Sequence, residues 1–440
     1  MKITRLLIRG IKILLYSILG ILVILFLVFF SPSIWRNWVT YPRLEAQRAA
    51  LWSRYKKPAD YIPLRAYRGV LHSHSYWSHD SRGTLDEILE GAKQAKFDFI
   101  FLSDHAHAKL DTFPRGYHGV FDGVILEAGT EGSEGIMVNP FDSVVLDWNK
   151  SFDSLIHDVV SHHGLVTYVH SEKEHPWGNP DYQAMEIYNI HSDLLDGNDS
   201  YLSLLLNNIV NGKTYKHWTF REIYDDQTAI LAKWDSLNQT RRITGIAAVD
   251  AHNNNNIRAR YTKDGSVEWV GANAKTLSIR EPNWLDNLLL DKPDRHGWAF
   301  KWELDPYFYS FNYVNDHVFC DTLSNVSIKE NVIKGHVFTA FESLAPSDGF
   351  QYFAEDDQSN LTGILGDSVP AGQASVLKAV SPFPVKYKLL ENGALIYETE
   401  AQYEFEYKTQ NSTGNFRLVT YILLDDLWVP WIFTNPIYVY

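Results

Sequence analysis

The sequence predicts an α/β protein preceded by one membrane-crossing helix and followed by a small β-sandwich. Three observations predict it. Residues 13–30, ILLYSILGILVILFLVFF, form a run without a charge. From about residue 66, short apolar runs alternate with patterns of helical period. From about residue 346, the helical patterns give way to short β-type segments.

The apolar run comes first. Eighteen residues at ~1.5 Å per residue are just long enough to cross a bilayer core. FFSPSIWRNW, at the end of the run, is a poor signal-peptidase site, so an uncleaved signal anchor is the reading rather than a removed signal peptide. Lys2, Arg5, Arg9 and Lys12 place residues 1–12 in the cytoplasm, although Arg36, Arg43, Arg48, Arg54, Lys56 and Lys57 follow the span. A long domain translocates largely regardless of charge, so the body is expected in the periplasm or outside the cell. Residues 31–63, rich in aromatics and bases and with four prolines, are expected as a stalk, with 44–55 as an amphipathic helix.

The α/β region, 64–345, opens with RGVLH (68–72) as a strand. LDEILEGAKQAK (85–96) is a helix with Thr84 as its cap and Glu87 in the capping-box position. FDFIFLSDH (97–105) and FDGVILEAGTE (121–131) are strands, and 151–164 is a helix ended by Gly164. LVTYVH (165–170), AMEIYNI (184–190) and ITGIAAVD (243–250) are further strands; 201–210 and 229–237 read as helices. Alternation of this kind makes parallel sheet, and such sheets carry their sites at the C-terminal ends of strands. The aromatic-rich stretch 281–345 gives no clear order, though 331–344 is a candidate to close the domain. In 346–440, 385–400 reads as a hairpin turning at Asn392–Gly393, followed by strands at 403–407, 416–424 and 436–440.

Composition narrows the chemistry. The 440 residues are 45% hydrophobic and carry a net charge of −13. Four of the positive charges lie in the acid-free residues 1–12, so the rest is more acidic still. Such a body repels long polyanions, and bulk nucleic-acid binding is not expected. A local cationic centre still attracts a small anionic substrate. Cys320 is the only cysteine, so there is no intramolecular disulfide and no thiolate metal site. Any metal must be held by His, Asp and Glu.

Those residue types recur at strand ends. His72 and His74 flank Ser73, so strand geometry sends both to one face. Ser78-His79-Asp80 follows. Asp104, His105 and His107 end the strand 97–102; Glu131 follows 121–130; His170 ends LVTYV; Asp250 and His252 end GIAAV. One H-x-H pair is weak, since two surface histidines look the same. Five strand ends offering donors in order are much stronger, because buried acids and histidines need partners that metal ions supply.

LHSHSYWSHDSRGTLDEIL, FIFLSDHAH, GTEGSE, YVHS, AMEIYN and AAVDAH together resemble the PHP (polymerase and histidinol phosphatase) superfamily of metal-dependent phosphoesterases, over roughly residues 68–255. The resemblance implies a distorted (β/α)7 barrel holding two or three divalent ions (Zn, Mn or Fe). It implies that His72, His74, Glu131 and Asp250 hold one ion. Glu131 would bridge to a second, also held by His170, and Asp80, His105 and His252 would hold a third. The family commonly places another histidine between the Glu131 and His170 positions; here 134–143 reads EGIMVNPFDS, leaving Glu134 or Asn139 as substitutes or the second ion weak or absent. The ending WVPWIFTNPIYVY resembles larger secreted or membrane-linked members, including a branch related to carbaryl hydrolase.

The expected activity is phosphoester hydrolysis by a metal-activated hydroxide. His79 and His107 are candidates to protonate the leaving oxygen, or else are outer or exposed residues. Arg82 and Arg258 are candidates to hold the phosphate, or else ordinary surface arginines. A carboxyl or carbamate ester hydrolase and a non-catalytic membrane-tethered binding module are the alternatives. Substrate and oligomeric state are not legible.

Overall fold

The computed structural model describes residues 2–105, 116–132, 135–139, 146–195 and 200–440. It is a mixed α/β protein with an N-terminal apolar helix and several sheets. The first helix, α1 (Lys2–Trp35), contains a stretch long and apolar enough to span a membrane, with none of it buried in the body. A short π-helical turn, Arg36–Thr40, joins it to α2 (Tyr41–Trp52).

The segment expected as a stalk does not stand free. Arg36 pairs with Glu222 at 2.9 Å, Asn211 donates to the Ser33 carbonyl at 2.9 Å, and Asn207 donates to the Tyr41 hydroxyl at 2.6 Å. Further along, Arg48 donates to the Ser343 carbonyl and Trp52 to that of Leu344. The aromatics and bases read as stalk composition are the groups that dock this helix.

The body follows in chain order. Its first half comprises β1 (Arg65–Val70), α3 (Leu85–Gln94), β2 (Phe99–Phe101), β3 (Asp104–His105), β4 (His118–Phe121), β5 (Val124–Glu127), β6 (Thr130–Gly132), β7 (Ile136–Asn139), α4 (Phe152–Ser161) and β8 (Leu165–Tyr168). Then come β9 (Ala184–Asn189), α5 (Ile190–Leu195), α6 (Tyr201–Asn211), α7 (Lys216–Arg221), α8 (Thr228–Asn238) and β10 (Thr244–Ala248). Strands β1, β2 and β5 pair in parallel, as do β3 with β6 and the run β8–β9–β10, while β7 is antiparallel to both its neighbours. The Thr84–Glu87 capping box forms as the sequence predicts. Helix α4 ends earlier than expected: His163, not Gly164, takes a left-handed φ of +61°.

The two parallel groups meet around one point. Ser103 N donates to the Ser73 carbonyl at 2.9 Å, His74 N donates to that of Ala251 at 3.0 Å, and Ser73 and Ala251 form a parallel bridge. Chain leaving β1 is thus held between chain leaving β2 and chain leaving β10. Leu71, Phe101, Met137, Val169 and Ile246 form part of one buried apolar cluster. Leu71 and Val169 each precede a histidine, His72 and His170. Side chains alternate, so the apolar ones fill the interior while the histidines face the open end.

The remaining elements are β11 (Asn256–Tyr261), β12 (Val267–Val270), β13 (Thr276–Arg280), α9 (Trp284–Leu289), β14 (Phe300–Glu303), α10 (Tyr307–Tyr313), β15 (Asn315–Cys320), α11 (Asn325–Lys334) and β16 (Val337–Ala340). Strands β11–β14 form a separate four-stranded antiparallel sheet. The last nine strands are β17 (Gln351–Glu355), β18 (Leu361–Ile364), β19 (Ser368–Val369), β20 (Val376–Glu391), β21 (Ala394–Glu398), β22 (Gln402–Lys408), β23 (Gly414–Leu424), β24 (Leu427–Thr434) and β25 (Ile437–Val439). Asn392 and Gly393, both at positive φ, turn β20 into β21. These strands share a sheet with the body, because β24 pairs with β16, β16 with β15 and β15 with β1.

Arg258 on β11 shows how the four-stranded sheet is fastened. It is 1% exposed, bonds Glu87 of α3 at 3.2 Å and Glu303 of β14, and lies over the Trp298 ring. Removing one member of a buried ionic group strands the others. Arg258→Ala should therefore destabilise the fold by about 3–5 kcal/mol, measured as a lowered denaturation midpoint. An unchanged midpoint would show that the group holds nothing together.

Candidate metal centre

Four donor atoms come together at the open end of the parallel strands. His72 Nε2 lies 3.1 Å from His74 Nε2, 3.2 Å from Glu131 Oε2 and 3.2 Å from Asp250 Oδ1. His74 Nε2 lies 3.2 Å from the same Glu131 oxygen and 3.0 Å from the same Asp250 oxygen. Five of the six separations among these atoms are thus 3.0–3.2 Å, a spacing that donors ~2.0 Å from one shared divalent ion would have. All four residues are buried. Asp80 Oδ1, Asp250 Oδ1 and His252 Nε2 are buried without a hydrogen-bond partner, which fits donors waiting for a cation.

The electrostatics agree. Burial alone would lower the His72 pKa, but Asp250, Glu186 and Glu131 hold it well above the ordinary value. Burial would raise the acids, but His72 and its neighbours keep Glu131 and Asp250 well below theirs. Burial, with His252 nearby, lowers His74. Negative charge is thus retained in a buried pocket of imidazoles, where a divalent ion fits.

Each donor is aimed by a neighbour. His72 Nδ1 meets Glu186 Oε1 at 2.5 Å, leaving Nε2 to face the cluster. Glu186 also accepts from His170 N at 2.7 Å and from Asn189 at 2.9 Å. His74 Nδ1 meets Ser78 Oγ at 2.9 Å, and Ser78 donates to Asp104 at 3.2 Å. Tyr307 from α10 donates to the His74 carbonyl at 2.7 Å. Asp250 and His170 hold left-handed φ values of +46° and +54°. Such backbone is costly for residues with side chains and persists where the surroundings impose it, often at functional sites.

A second group adjoins the first. His252 Nε2 and His105 Nε2 lie 3.3 and 3.7 Å from Asp80 Oδ2. His74, His105 and His252 also bring ligand atoms within 4.8 Å of one another. Burial would lower His252, but Asp250 and Asp80 push it up to about 9. His170 Nε2 stands 3.3 Å from Glu131 Oε1 and 3.8 Å from Asp250 Oδ2. Among the described residues, no group of three donors includes His170. Asn139 donates its amide to the Leu102 carbonyl, and its Oδ1 is buried without a hydrogen-bond partner. Glu134 and His107 lie outside the described residues.

The other expected residues are placed as follows. His79 is exposed, its ring 5.1 Å from that of His105. Arg82 donates to Glu268, Thr276 and the Ala274 carbonyl and stays partly exposed. Arg258 is corrected: it is buried in the ionic group described above and has no surface to offer a phosphate.

Sequence reading missed Glu186 and His191, and named Ser78 and Asp104 as motif members without the aiming role. Glu186 carried a signal, being one acid in the apolar strand AMEIYN, where a buried charge needs a partner. His191, at the start of α5, forms a donor group with Asp250 and His252. Glu186→Gln should weaken metal binding by roughly 10–100-fold, the usual cost of losing a ligand's outer partner. Titration with metal in a competing chelator measures it, and an unchanged affinity would remove Glu186 from the site.

No family model matches the chain, and no curated protein matches it. Among solved structures, a two-domain protein from Bacteroides vulgatus containing a predicted PHP-like metal-dependent phosphoesterase is similar. It is 11% identical, with 86% of this chain and 98% of that chain covered and a TM-score of 0.39.

Proposed function

We propose that this chain is a membrane-anchored, metal-dependent phosphoesterase of PHP type, its body outside the cytoplasm. The observation that carries the proposal is the close set of His72, His74, Glu131 and Asp250 donors. In this reading, the parallel strands make a distorted (β/α)7 barrel and the C-terminal strands a β-sandwich joined to it. The carbaryl-hydrolase-related branch is the place the C-terminal sequence suggests.

His72, His74, Glu131 and Asp250 would hold one divalent ion, and Asp80, His105 and His252 another. Zinc, manganese or iron suits imidazole and carboxylate donors. A second-position ion on His170 would have few ligands. Such ions supply Lewis acidity toward phosphoryl oxygens and make a water acidic enough to attack near neutral pH. With an ion bound, Glu186 would accept from His72 Nδ1 and leave the Nε2 lone pair toward the cluster. Ser78 and Asp104 would do the same for His74. His79, exposed beside His105, would be the group that hands a proton to a leaving oxygen arriving from solvent. A cavity of about 340 Å³ lies beside the residues that follow His170, but its lining holds six carboxylates, Glu172, Glu174, Glu186, Asp193, Asp225 and Asp226, against Lys173 and Lys233, and none of the cluster's donors.

The test compares 4-nitrophenyl phosphate and bis(4-nitrophenyl) phosphate with 4-nitrophenyl acetate and an aryl carbamate, using metal-loaded full-length protein. Phosphoesters should be cleaved in preference. A preference for acetate or carbamate moves the chain to carbonyl hydrolysis, and cleavage of nothing leaves a metal-binding module.

A further inference from the structure

Helix α6 is built inside out. Its buried side chains are Asn207, Asn208 and Asn211, which are 2%, 8% and 0% exposed. Leu202, Leu205, Leu206 and Ile209 follow the spacing i, i+3, i+4, i+7 of one helix face. That face points outward: Leu202 and Ile209 are half exposed, and Leu205 and Leu206 are only partly covered. A helix on the surface of a water-soluble body does the reverse, burying its apolar stripe and turning its amides to solvent. No acid or base occurs from Ser200 to Gly212, so no charge solvates the outward face.

The buried asparagines all have partners. Asn207 donates to the Tyr41 hydroxyl at 2.6 Å and accepts from Asn211 at 2.7 Å. Asn211 donates to the Ser33 carbonyl at 2.9 Å and accepts from Asn37 at 2.8 Å. Asn208 accepts from Lys216 at 2.8 Å. Burial of amides requires such bonds, and most of them run to the chain that leaves α1. The polar face of α6 is thus committed to that segment, which leaves the apolar face outward.

The place of these bonds says what covers the outward face. Ser33 comes three residues after Phe30, the last residue of the apolar run. That is ~4.5 Å of helix. The headgroup layer is roughly 5–8 Å deep on each side of the hydrocarbon core. With the run across a bilayer, Asn211 therefore stands at headgroup depth beside Ser33, and Ile209 is two residues from it. Trp35 and Trp38, exposed in the same stretch, are of the type enriched at membrane surfaces.

We infer that the outward face of α6 is a second membrane contact, seated where headgroups meet acyl chains, with its Ile209 end deepest. This rests on the membrane-anchored reading and adds a surface to it. Anchor and helix then hold the body at two places, so the metal centre keeps one orientation to the bilayer instead of swinging on a tether.

The test places a fluorophore on Ile209→Cys and, separately, on Leu206→Cys of the full-length protein in nanodiscs. Cys320 is fully buried and does not compete for the label. Nitroxide-bearing lipids should extinguish both probes, and a nitroxide near the headgroup end of the acyl chain should do so more than one near its tail. A probe on Leu22→Cys, in the middle of the apolar run, should show the opposite order. Probes on α6 reached by aqueous iodide but not by lipid nitroxides would put this face in water. Probes reached by neither would give it to a protein partner such as a second copy. Either result overturns the inference. Quenching by lipid at Leu22 but not on α6 defeats this inference and leaves the anchor standing. No quenching by lipid at Leu22 defeats the anchor, and this inference with it.

Discussion

Asp250→Ala should abolish phosphoester hydrolysis, lowering kcat/KM by about 10³-fold or more, and should strip bound metal from the protein. The reason is that Asp250 serves more than one group of donors. Its Oδ1 faces His72 and His74, its Oδ2 lies 3.8 Å from His170, and it groups with His191 and His252. An outer partner of a metal ligand is worth roughly 10–100-fold; a shared ligand at the centre of the cluster must cost more. Elemental analysis and aryl-phosphate kinetics on one preparation measure both effects. The thermal midpoint of the same preparation separates a lost site from a lost fold. If the variant keeps its metal and its rate, the cluster is not the active centre.

Metal should also stabilise the protein more as pH rises from 6 to 9. In the metal-free chain, the carboxylates of Asp250 and Asp80 push His252 up to about 9 against burial. A histidine raised in this way contributes stability that is full below ~6.5 and is lost as pH rises through its folded value. Its loss weakens the stripped protein across that window by about 3 kcal/mol. His105 and His170 are shifted in the same direction. Glu131 and Asp250 are shifted down, so their contribution is present above ordinary carboxylate values and does not change between pH 6 and 9. Metal requires neutral imidazoles, so its binding releases protons and tightens as pH rises. The loaded and stripped midpoints should therefore diverge with pH. Thermal melts with and without chelator at pH 6.0, 7.5 and 9.0 test this. Parallel midpoints at all three would mean that these histidines do not take up metal.

Much of the centre was legible because its donors follow strands in order. His72, His74, Glu131, His170, Asp250 and His252 each sit where an apolar run stops, and alternation turns them to one side. The supporting residues were less legible. Ser78 and Asp104 were plain members of quoted motifs, and nothing in their spacing says that one aims His74 through the other. Tyr307 lies in the aromatic stretch 281–345 that resisted ordering, yet its hydroxyl meets the His74 carbonyl. Arg258 reads like any surface arginine until the fold brings Glu87 and Glu303 to it from 171 and 45 residues away.

The sequence by itself determined the apolar N-terminal helix, the alternation of strands and helices, and the residue types gathered at strand ends. These depend on period, composition and local capping, which act over a few residues. Only the tertiary structure decided which donors share a point in space, that Glu186 orients His72, that the segment after the apolar helix docks on α6, and that the C-terminal strands join the sheet of the body. Those outcomes depend on pairings between residues tens to hundreds of positions apart, settled by burial and by the need of every buried polar group for a partner.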